Sequence, residues 1–303
     1  MQPTDHPHAP AHDALTPFVF EHTAIRGGLV SLHATSRAIL ACHDYPAAVA
    51  RALGELLAAA ALLAATLKLD GSLIVQLCGD GPLSLLVVEC DGTLGLRATA
   101  QWSAELVAVL GADADLVALA GGASQARLAI TLDPRGAGTL YQGIVALQGT
   151  SIAASIEHYL ATSEQLASRL LLRCDDGAAY GLLVQRLPGS SAADDETWTA
   201  VAERLSAVGA ADALGRGDAP DVLRRLFPTH DVRVFRSRPA RFACRCSRER
   251  AENALRIAGL VEVEAALAAE GRVEVTCEYC GRQYRFEPAA ARALFDGPPR
   301  TRH

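Results

Sequence analysis

Four of the eight cysteines in this 303-residue chain lie in two close pairs near its C-terminus. Cys244 and Cys246 are separated by one residue, and Cys277 and Cys280 are separated by two. Four thiolates supplied by two short motifs match the tetrahedral sulfur shell that Zn²⁺ prefers in proteins. The spacing therefore predicts a metal site that holds one Zn²⁺ per chain.

The spacing does not decide whether this site is a permanent structural element or a redox switch. If the thiols are oxidised, loop-closure entropy favours disulfides within each pair, because a short loop costs less entropy to close than a long one. Strain in the short Cys244–Cys246 ring opposes that preference. Disulfides within the pairs would not replace the long-range cross-link that a metal supplies. Oxidation is therefore expected to unfold the surrounding domain.

Arginine is frequent around the first cysteine pair. Four arginines lie close to it: Arg241, Arg245, Arg248 and Arg250. Their positive charge would favour the thiolate form of the cysteines. Alternatively, they are only the solvent-exposed basic residues at the start of a helix. They also suggest an alternative function, a zinc-ribbon adaptor that binds nucleic acid. A formal net charge of −6, and eleven Arg against nine Asp plus Glu over residues 241–303, argue against a nucleic-acid partner.

The other four cysteines lie in strand-like or helix-start contexts. We interpret them as small hydrophobic residues: Cys42, Cys78, Cys90 and Cys174. No export signal is visible at the N-terminus, which favours a reducing cytoplasm over structural disulfides. Paired carboxylates with a cleft signature, a nucleophile elbow and a phosphate-binding loop are all missing from the sequence. We therefore expect a cytoplasmic protein that is not an enzyme.

The elements upstream of the cysteines predict an α+β fold. The apolar run at residues 56–67 is too short to span a bilayer and predicts a buried helix, so no membrane partner is expected. Asp-Gly pairs at 80–81, 91–92 and 176–177 predict hairpin turns. Strands that are grouped rather than alternating with helices predict antiparallel sheets.

Changes in composition divide the chain into four parts. We predict a disordered tail over 1–14, an N-terminal domain of antiparallel sheet and helix over 15–189, and a helical linker over 190–240. The linker carries an apolar stripe on weak, glycine-interrupted helices and is expected to be metastable. A small C-terminal four-cysteine zinc domain follows over 241–303.

Local signals also indicate the elements of the C-terminal domain. Ser247 is placed to cap a helix, and Gly271 is placed to end a second one. The sequence "QYRF" at 283–286 predicts a short strand beside the cysteines.

Several motifs resemble one known family, the redox-regulated 33 kDa chaperonins, also called heat-shock protein 33. The similarity runs from about residue 24 to 287 and includes "QLCGDGPLSLLVVE" and "YQGIVALQG" in the N-terminal domain. "CRCSRERAENAL" and "CEYCGRQYRF" are similar to the zinc segment of that family. The chain is less acidic than the family pattern around residues 227–235, a departure that bears on linker stability and on the activation threshold.

The resemblance implies a stress-activated holdase that works without ATP. In the reduced, inactive state the four cysteines would hold Zn²⁺. Oxidation under unfolding conditions would form Cys244–Cys246 and Cys277–Cys280 disulfides, release the metal, and unfold the linker and the zinc domain. The activated form would be a homodimer that binds unfolding client proteins. Cytosolic thiol reductants would reverse the switch, and clients would pass to ATP-dependent foldases.

Overall fold

The computed structural model describes residues 13–66, 71–134, 138–189, 191–215 and 217–295. The chain forms two compact units, Met1–Ala243 and Cys244–His303. Of the tail predicted over 1–14, residues 1–12 lie outside the described residues, and Ala14 is the first residue of a strand.

Strands and helices occur in groups along the described residues rather than in strict alternation. The strands are β1 (Ala14–Phe20), β2 (Ile25–Leu32), β3 (Gly71–Cys78), β4 (Leu83–Asp91), β5 (Gly95–Trp102), β6 (Arg127–Pro134), β7 (Tyr141–Ala146), β8 (Ser168–Asp175), β9 (Ala178–Arg186), β10 (Val232–Val234), β11 (Arg238–Pro239), β12 (Arg241–Phe242), β13 (Val273–Thr276) and β14 (Gln283–Phe286). The helices are α1 (Ala34–Leu40), α2 (Ala47–Thr66), α3 (Ala104–Leu110), α4 (Leu116–Ala120), α5 (Ile152–Thr162), α6 (Ala192–Ala207), α7 (Ala210–Ala213), α8 (Ala219–Leu226), α9 (Arg248–Ala258), α10 (Leu260–Glu270) and α11 (Pro288–Ala293).

In the described part of the first unit the strands form two six-stranded sheets. Sheet A has the order β10-β1-β2-β9-β8, with β11 also pairing with β1, and sheet B has the order β12-β5-β4-β3-β6-β7. The pairings in both sheets are antiparallel except that of β12 with β5. The α+β fold with antiparallel sheet that the sequence predicts is therefore confirmed.

Helix α2 forms the centre of the first unit, where it packs against strands of both sheets. It is the one helix in the described residues whose length and composition would suit a membrane span, but 78% of its apolar window is buried inside the fold. Side chains such as Leu53, Leu56 and Leu57 are fully buried in the main hydrophobic core. The apolar run is thus a core helix, as the sequence predicts.

The predicted hairpin turns are also confirmed. Asp80-Gly81 lies between the paired strands β3 and β4, and Asp176-Gly177 lies between β8 and β9. The turn between β4 and β5 is held by Asp91, whose Oδ1 accepts hydrogen bonds from the backbone N–H groups of Thr93 and Gly95. These Asx-type bonds explain why Asp favours a turn at this position.

The segment predicted as a helical linker forms a second apolar layer of the first unit. Val201 and Leu205 of α6 are buried against the outer face of sheet A, where Phe18 and Phe20 of β1 also lie. The segment is not purely helical, because β10 and β11 pair with β1.

Helix α6 also begins earlier than the composition suggests. Ser191 and Asp194 form a reciprocal capping box at its N-terminus, so the polar stretch near residue 191 starts a helix rather than separating two elements.

The second unit consists of α9, α10, the hairpin β13–β14 and α11. Its buried core is small and comprises Ala251, Leu255, Val263, Leu267, Val273, Phe286 and Ala291. The predicted helix cap and helix end are confirmed. The Ser247 side chain accepts a hydrogen bond from the N–H of Arg250 at the start of α9, and Gly271 ends α10 in a left-handed conformation.

Candidate metal centre

The four cysteines of the two pairs converge in the second unit. Their four sulfur atoms all lie within 4.8 Å of one another. The Sγ atoms of Cys244 and Cys277 are 3.7 Å apart, and those of Cys246 and Cys280 are 3.5 Å apart. A tetrahedron of sulfurs at the usual Zn–S distance of about 2.3 Å has edges of about 3.8 Å. The four thiols therefore fit one Zn²⁺.

Two local structures place these thiols. The first pair directly precedes α9, whose N-terminus is fixed by the Ser247 cap. The second pair lies in the turn between β13 and β14, where the N–H of Cys277 donates to Arg282 O at 2.9 Å. The N–H of Gly281 donates to Cys277 O at 2.8 Å, and Gly281 has a φ of +67° that favours glycine. The turn therefore has the geometry of a zinc knuckle, which the glycine after the second cysteine makes possible.

Tyr284 is a site residue that the sequence analysis did not assign. From β14 its hydroxyl donates to the Sγ of Cys246 at 3.1 Å. Burial alone would raise the pKa of Cys246, but hydrogen bonds from Tyr284 and the neighbouring thiols lower it to about 7. At Cys244 and Cys280 burial prevails and raises the pKa. Hydrogen-bond donation thus favours the thiolate form of Cys246, which is the form that binds metals.

Two of the arginines near the first pair take part in contacts inside the chain. The guanidinium of Arg248 lies 4.3 Å from the centroid of the Phe286 ring and donates to Arg285 O at 3.2 Å. Arg241 donates to the carbonyl and hydroxyl oxygens of Thr93. These groups stabilise their own units, which weakens the case for a nucleic-acid interface at this cluster.

The remaining cysteines do not join the cluster. Cys90 is fully buried, as expected of a small hydrophobic residue, whereas Cys42 and Cys174 are half-buried. The expectation is wrong for Cys78, which is exposed at the end of β3. Side chains of β3 alternate between the two faces of sheet B, and Cys78 follows the buried Leu77 on the face that is not buried.

The fold and the site together define a two-unit α+β protein with a four-cysteine cluster in its C-terminal unit. The sequence pattern of the Hsp33 protein family matches residues 13–287. The chain therefore belongs to the Hsp33 family, whose members are chaperones, and the family is not known for enzymatic activity.

Relatives with assigned names support the same family over nearly the whole chain. A 33 kDa chaperonin from Methylobacillus flagellatus is 42% identical over 297 residues, which cover 97% of this chain and 96% of the relative. A 33 kDa chaperonin from Chromobacterium violaceum is 42% identical over 286 residues, covering 94% of each chain. The fold is similar to the crystal structure of a 33 kDa chaperonin from Thermotoga maritima, with a TM-score of 0.74 and 22% identity, covering 93% of this chain and 98% of that one.

Proposed function

We propose that this protein is a redox-regulated, ATP-independent holdase of the cytoplasm. The observation that carries the proposal is the convergence of four thiols from two distant motifs on one point of the second unit. In the reduced state Cys244, Cys246, Cys277 and Cys280 hold one Zn²⁺. When bound, the metal supplies a strong cross-link between the start of α9 and the turn between β13 and β14.

Oxidation converts the four thiols into two disulfides, Cys244–Cys246 and Cys277–Cys280. For each disulfide two thiolates give up one electron each and form one S–S bond, while one molecule of hydrogen peroxide takes these two electrons and two protons from the solvent and becomes two molecules of water. All four sulfurs lie within 4.8 Å, so other pairings are within reach of small movements. The pairing within each motif is favoured because it closes the shortest loops. Sulfurs joined in this way can no longer be thiolate ligands.

The second unit has little else to stabilise it. Its buried core contains only one aromatic side chain, Phe286, among the described residues, together with a few aliphatic ones. Disulfides within the pairs leave residues 244–246 unconnected to residues 277–280. Loss of the cross-link therefore unfolds this unit, since a domain of about 60 residues is marginal without a metal or long-range disulfides.

The linker over 190–240 then supplies the surface that binds clients. Its helices α6 and α8 cover an apolar layer that includes Phe18, Phe20 and Leu182 of sheet A. Release of these helices exposes both the helices and the sheet face, and large exposed apolar surfaces bind unfolded chains. The activated protein is a homodimer, thiol reductants reverse the switch, and clients are transferred to ATP-dependent foldases.

The proposal is tested by light scattering of a thermally unfolding client protein. Protein treated with peroxide is expected to suppress aggregation, and the reduced protein, with its metal bound, is not. Metal release and free thiols are counted in the same samples, and bound metal and free thiols should fall together. A Cys78→Ser variant is the control, because this exposed thiol lies outside the cluster. Equal suppression by the oxidised and reduced forms would remove the switch from the proposal.

A second measurement reports on the linker itself. In a Trp102→Phe background the emission of Trp198 in α6 is expected to shift to longer wavelength on oxidation, because Trp198 now packs against the layer under the linker. An emission maximum that does not move through complete oxidation would contradict release of α6.

A further inference from the structure

A cavity of about 160 Å³ lies in the first unit, at the C-terminal end of α2. Leu62, Ala65 and Thr66 of α2 form one wall, and the face of sheet A that is turned toward α2 forms the other. Most of the lining is apolar. A closed apolar cavity of about 150 Å³ is large enough for a benzene ring. The size therefore suits one compact apolar group.

One cationic side chain lines this cavity. The Nε atom of Arg26 in β2 is buried and forms no hydrogen bond. The Nη2 atom donates to Gln185 Oε1 at 3.1 Å on the neighbouring strand β9. Gln185 is 1% exposed, and its Nε2 donates in turn to Ser168 Oγ at 3.3 Å. Ser168 Oγ donates to Leu166 O at 3.0 Å.

This chain of hydrogen bonds fixes the orientation of Arg26. Each donor is directed to the next acceptor along the chain, so the amide of Gln185 is held with its oxygen toward the guanidinium. Arg26 lines the cavity, and its Nε–H has no acceptor among the described residues, although arginine carries five donors and no acceptor. The network is thus arranged to hold a donor at an apolar wall.

No carboxylate of the described residues neutralises Arg26. Its guanidinium forms no ion pair in this part of the chain, and burial alone lowers the pKa of Arg26. A partly buried cation without a counter-charge is unfavourable, and such groups in clefts are candidates for binding sites. An anionic group in the cavity would satisfy both the charge and the free Nε–H.

We propose that this cavity binds a carboxylate that carries a compact apolar group. The carboxylate accepts from Arg26, whose planar guanidinium suits two parallel hydrogen bonds to one carboxylate. The apolar group packs between Leu62 of α2 and Leu183 of β9, with Phe235 at the rim. The ligand is either a small free acid or the C-terminal end of a peptide with an apolar last residue, since both present the same chemistry.

None of the four clustered cysteines lines this cavity. Phe235 follows β10 and belongs to the segment predicted as the linker, while the other walls come from α2, β1, β2 and β9. A ligand in the cavity therefore contacts both the linker and the core of the first unit, so it is expected to hold the linker in place.

The test compares phenylacetate with its neutral analogue phenylacetamide by NMR titration of the full-length reduced protein. Phenylacetate is expected to bind at least about tenfold more tightly, since a hydrogen bond to a charged acceptor is roughly twice as strong as a neutral one. Arg26→Met is expected to bring the ratio of the two affinities close to one. Arg224→Met, which removes an exposed arginine of α8, is the matched control and should leave the ratio unchanged.

A cavity-filling variant gives an independent readout. Ala65→Leu is expected to abolish binding of phenylacetate while leaving the circular dichroism spectrum unchanged, so the proposal is testable even if Arg26→Met does not fold. The proposal is overturned if neither compound binds at millimolar concentration, if both bind equally to the wild-type protein, or if Ala65→Leu binds as the wild type does.

A titration with peptides shows whether the ligand is a free acid or the end of a peptide chain. A short peptide that ends in phenylalanine is titrated with a free and with an amidated C-terminus. If the free form binds better and the difference is lost in Arg26→Met, the site accepts chain ends. If phenylacetate shows binding that depends on Arg26 and neither peptide does, the site accepts small acids.

Discussion

The two units of the chain are stabilised in different ways. The first unit encloses α2 between two sheets and adds a second apolar layer under the linker helices. Among the residues that the structure describes, the second unit buries seven apolar side chains, three of which are alanine or valine from helices and one of which is Phe286. Burial of apolar side chains contributes about 1.5–3 kcal/mol for each large residue. Apolar burial therefore contributes much more to the stability of the first unit than to that of the second.

This difference explains where a chemical switch can act. Removing one interaction from a large core typically costs about 0.5–3 kcal/mol, which is less than the stability of about 5–15 kcal/mol that a folded domain has. Removing a metal cross-link from a unit with a small core removes most of the free energy that stabilises its folded state. In the proposed function the cysteine cluster lies in the unit whose fold depends on it, so oxidation of four sulfur atoms would unfold that unit.

The largest effect is expected for Cys277→Ser in the full-length protein. A structural zinc site contributes about 10–16 kcal/mol to a small domain, so loss of one thiolate should unfold the second unit even under reducing conditions. NMR should show collapsed dispersion for residues 248–291 and an unchanged spectrum for the first unit. A metal chelator added to the wild-type protein should have the same effect.

Cys78→Ser is the matched control for that substitution, because it removes a thiol of the first unit that is exposed. A well-dispersed second unit in Cys277→Ser would show that its apolar core is sufficient.

An intermediate effect is expected for Gly54→Ala in the middle of α2. Alanine is the better helix former by about 1 kcal/mol, but a Cβ at this position would overlap the Sγ and Cβ atoms of Cys174. Overpacking a close-packed core costs about 1–3 kcal/mol, so the variant should be less stable in urea denaturation. Both units should remain folded.

The double variant Gly54→Ala/Cys174→Gly provides the control, since it removes the overlapping atoms. Recovery of part of the lost stability is expected. An increase in stability for Gly54→Ala alone would show that the packing around α2 has room for the added methyl group.

The smallest effect concerns Glu55, a half-buried carboxylate on α2. Burial raises its pKa from the ordinary 4.5 to about 7, and Arg51 partly opposes this shift. The folded state therefore binds the proton more tightly than the unfolded state. The contribution of Glu55 to the stability of the first unit is largest below about pH 4.5, is lost as the pH rises through about 7, and changes no further above that.

Glu55→Gln removes that dependence. The variant is expected to be more stable than the wild type by about 1–2 kcal/mol at pH 8 and similar to it near pH 4.5, as measured by urea denaturation. Glu203→Gln, which changes an exposed carboxylate of α6, should have little effect at either pH. If the wild type and Glu55→Gln have the same stability at every pH between 5 and 8, the raised pKa of Glu55 is contradicted.

Several elements could be predicted from the sequence because their signals are local. The Asp-Gly turns, the Ser247 cap and the Gly271 helix end each depend on residues within a few positions of one another. The capping box of Ser191 and Asp194 is an equally local signal, but the polar composition around it suggests a break between domains. The strands β10 and β11 could not be predicted in this way, because they form only by pairing with β1 at the other end of the chain.

The sequence by itself determined the four candidate metal ligands, since the spacing of Cys244, Cys246, Cys277 and Cys280 is a covalent property of the chain. Only the tertiary structure decided that the four sulfurs meet, that Tyr284 donates to one of them, and that Arg26 lines an apolar cavity with no counter-charge from the described residues. The physical reason is that these features depend on contacts between residues far apart in the chain. Such contacts are selected by the packing of whole elements, which the spacing within one element does not specify.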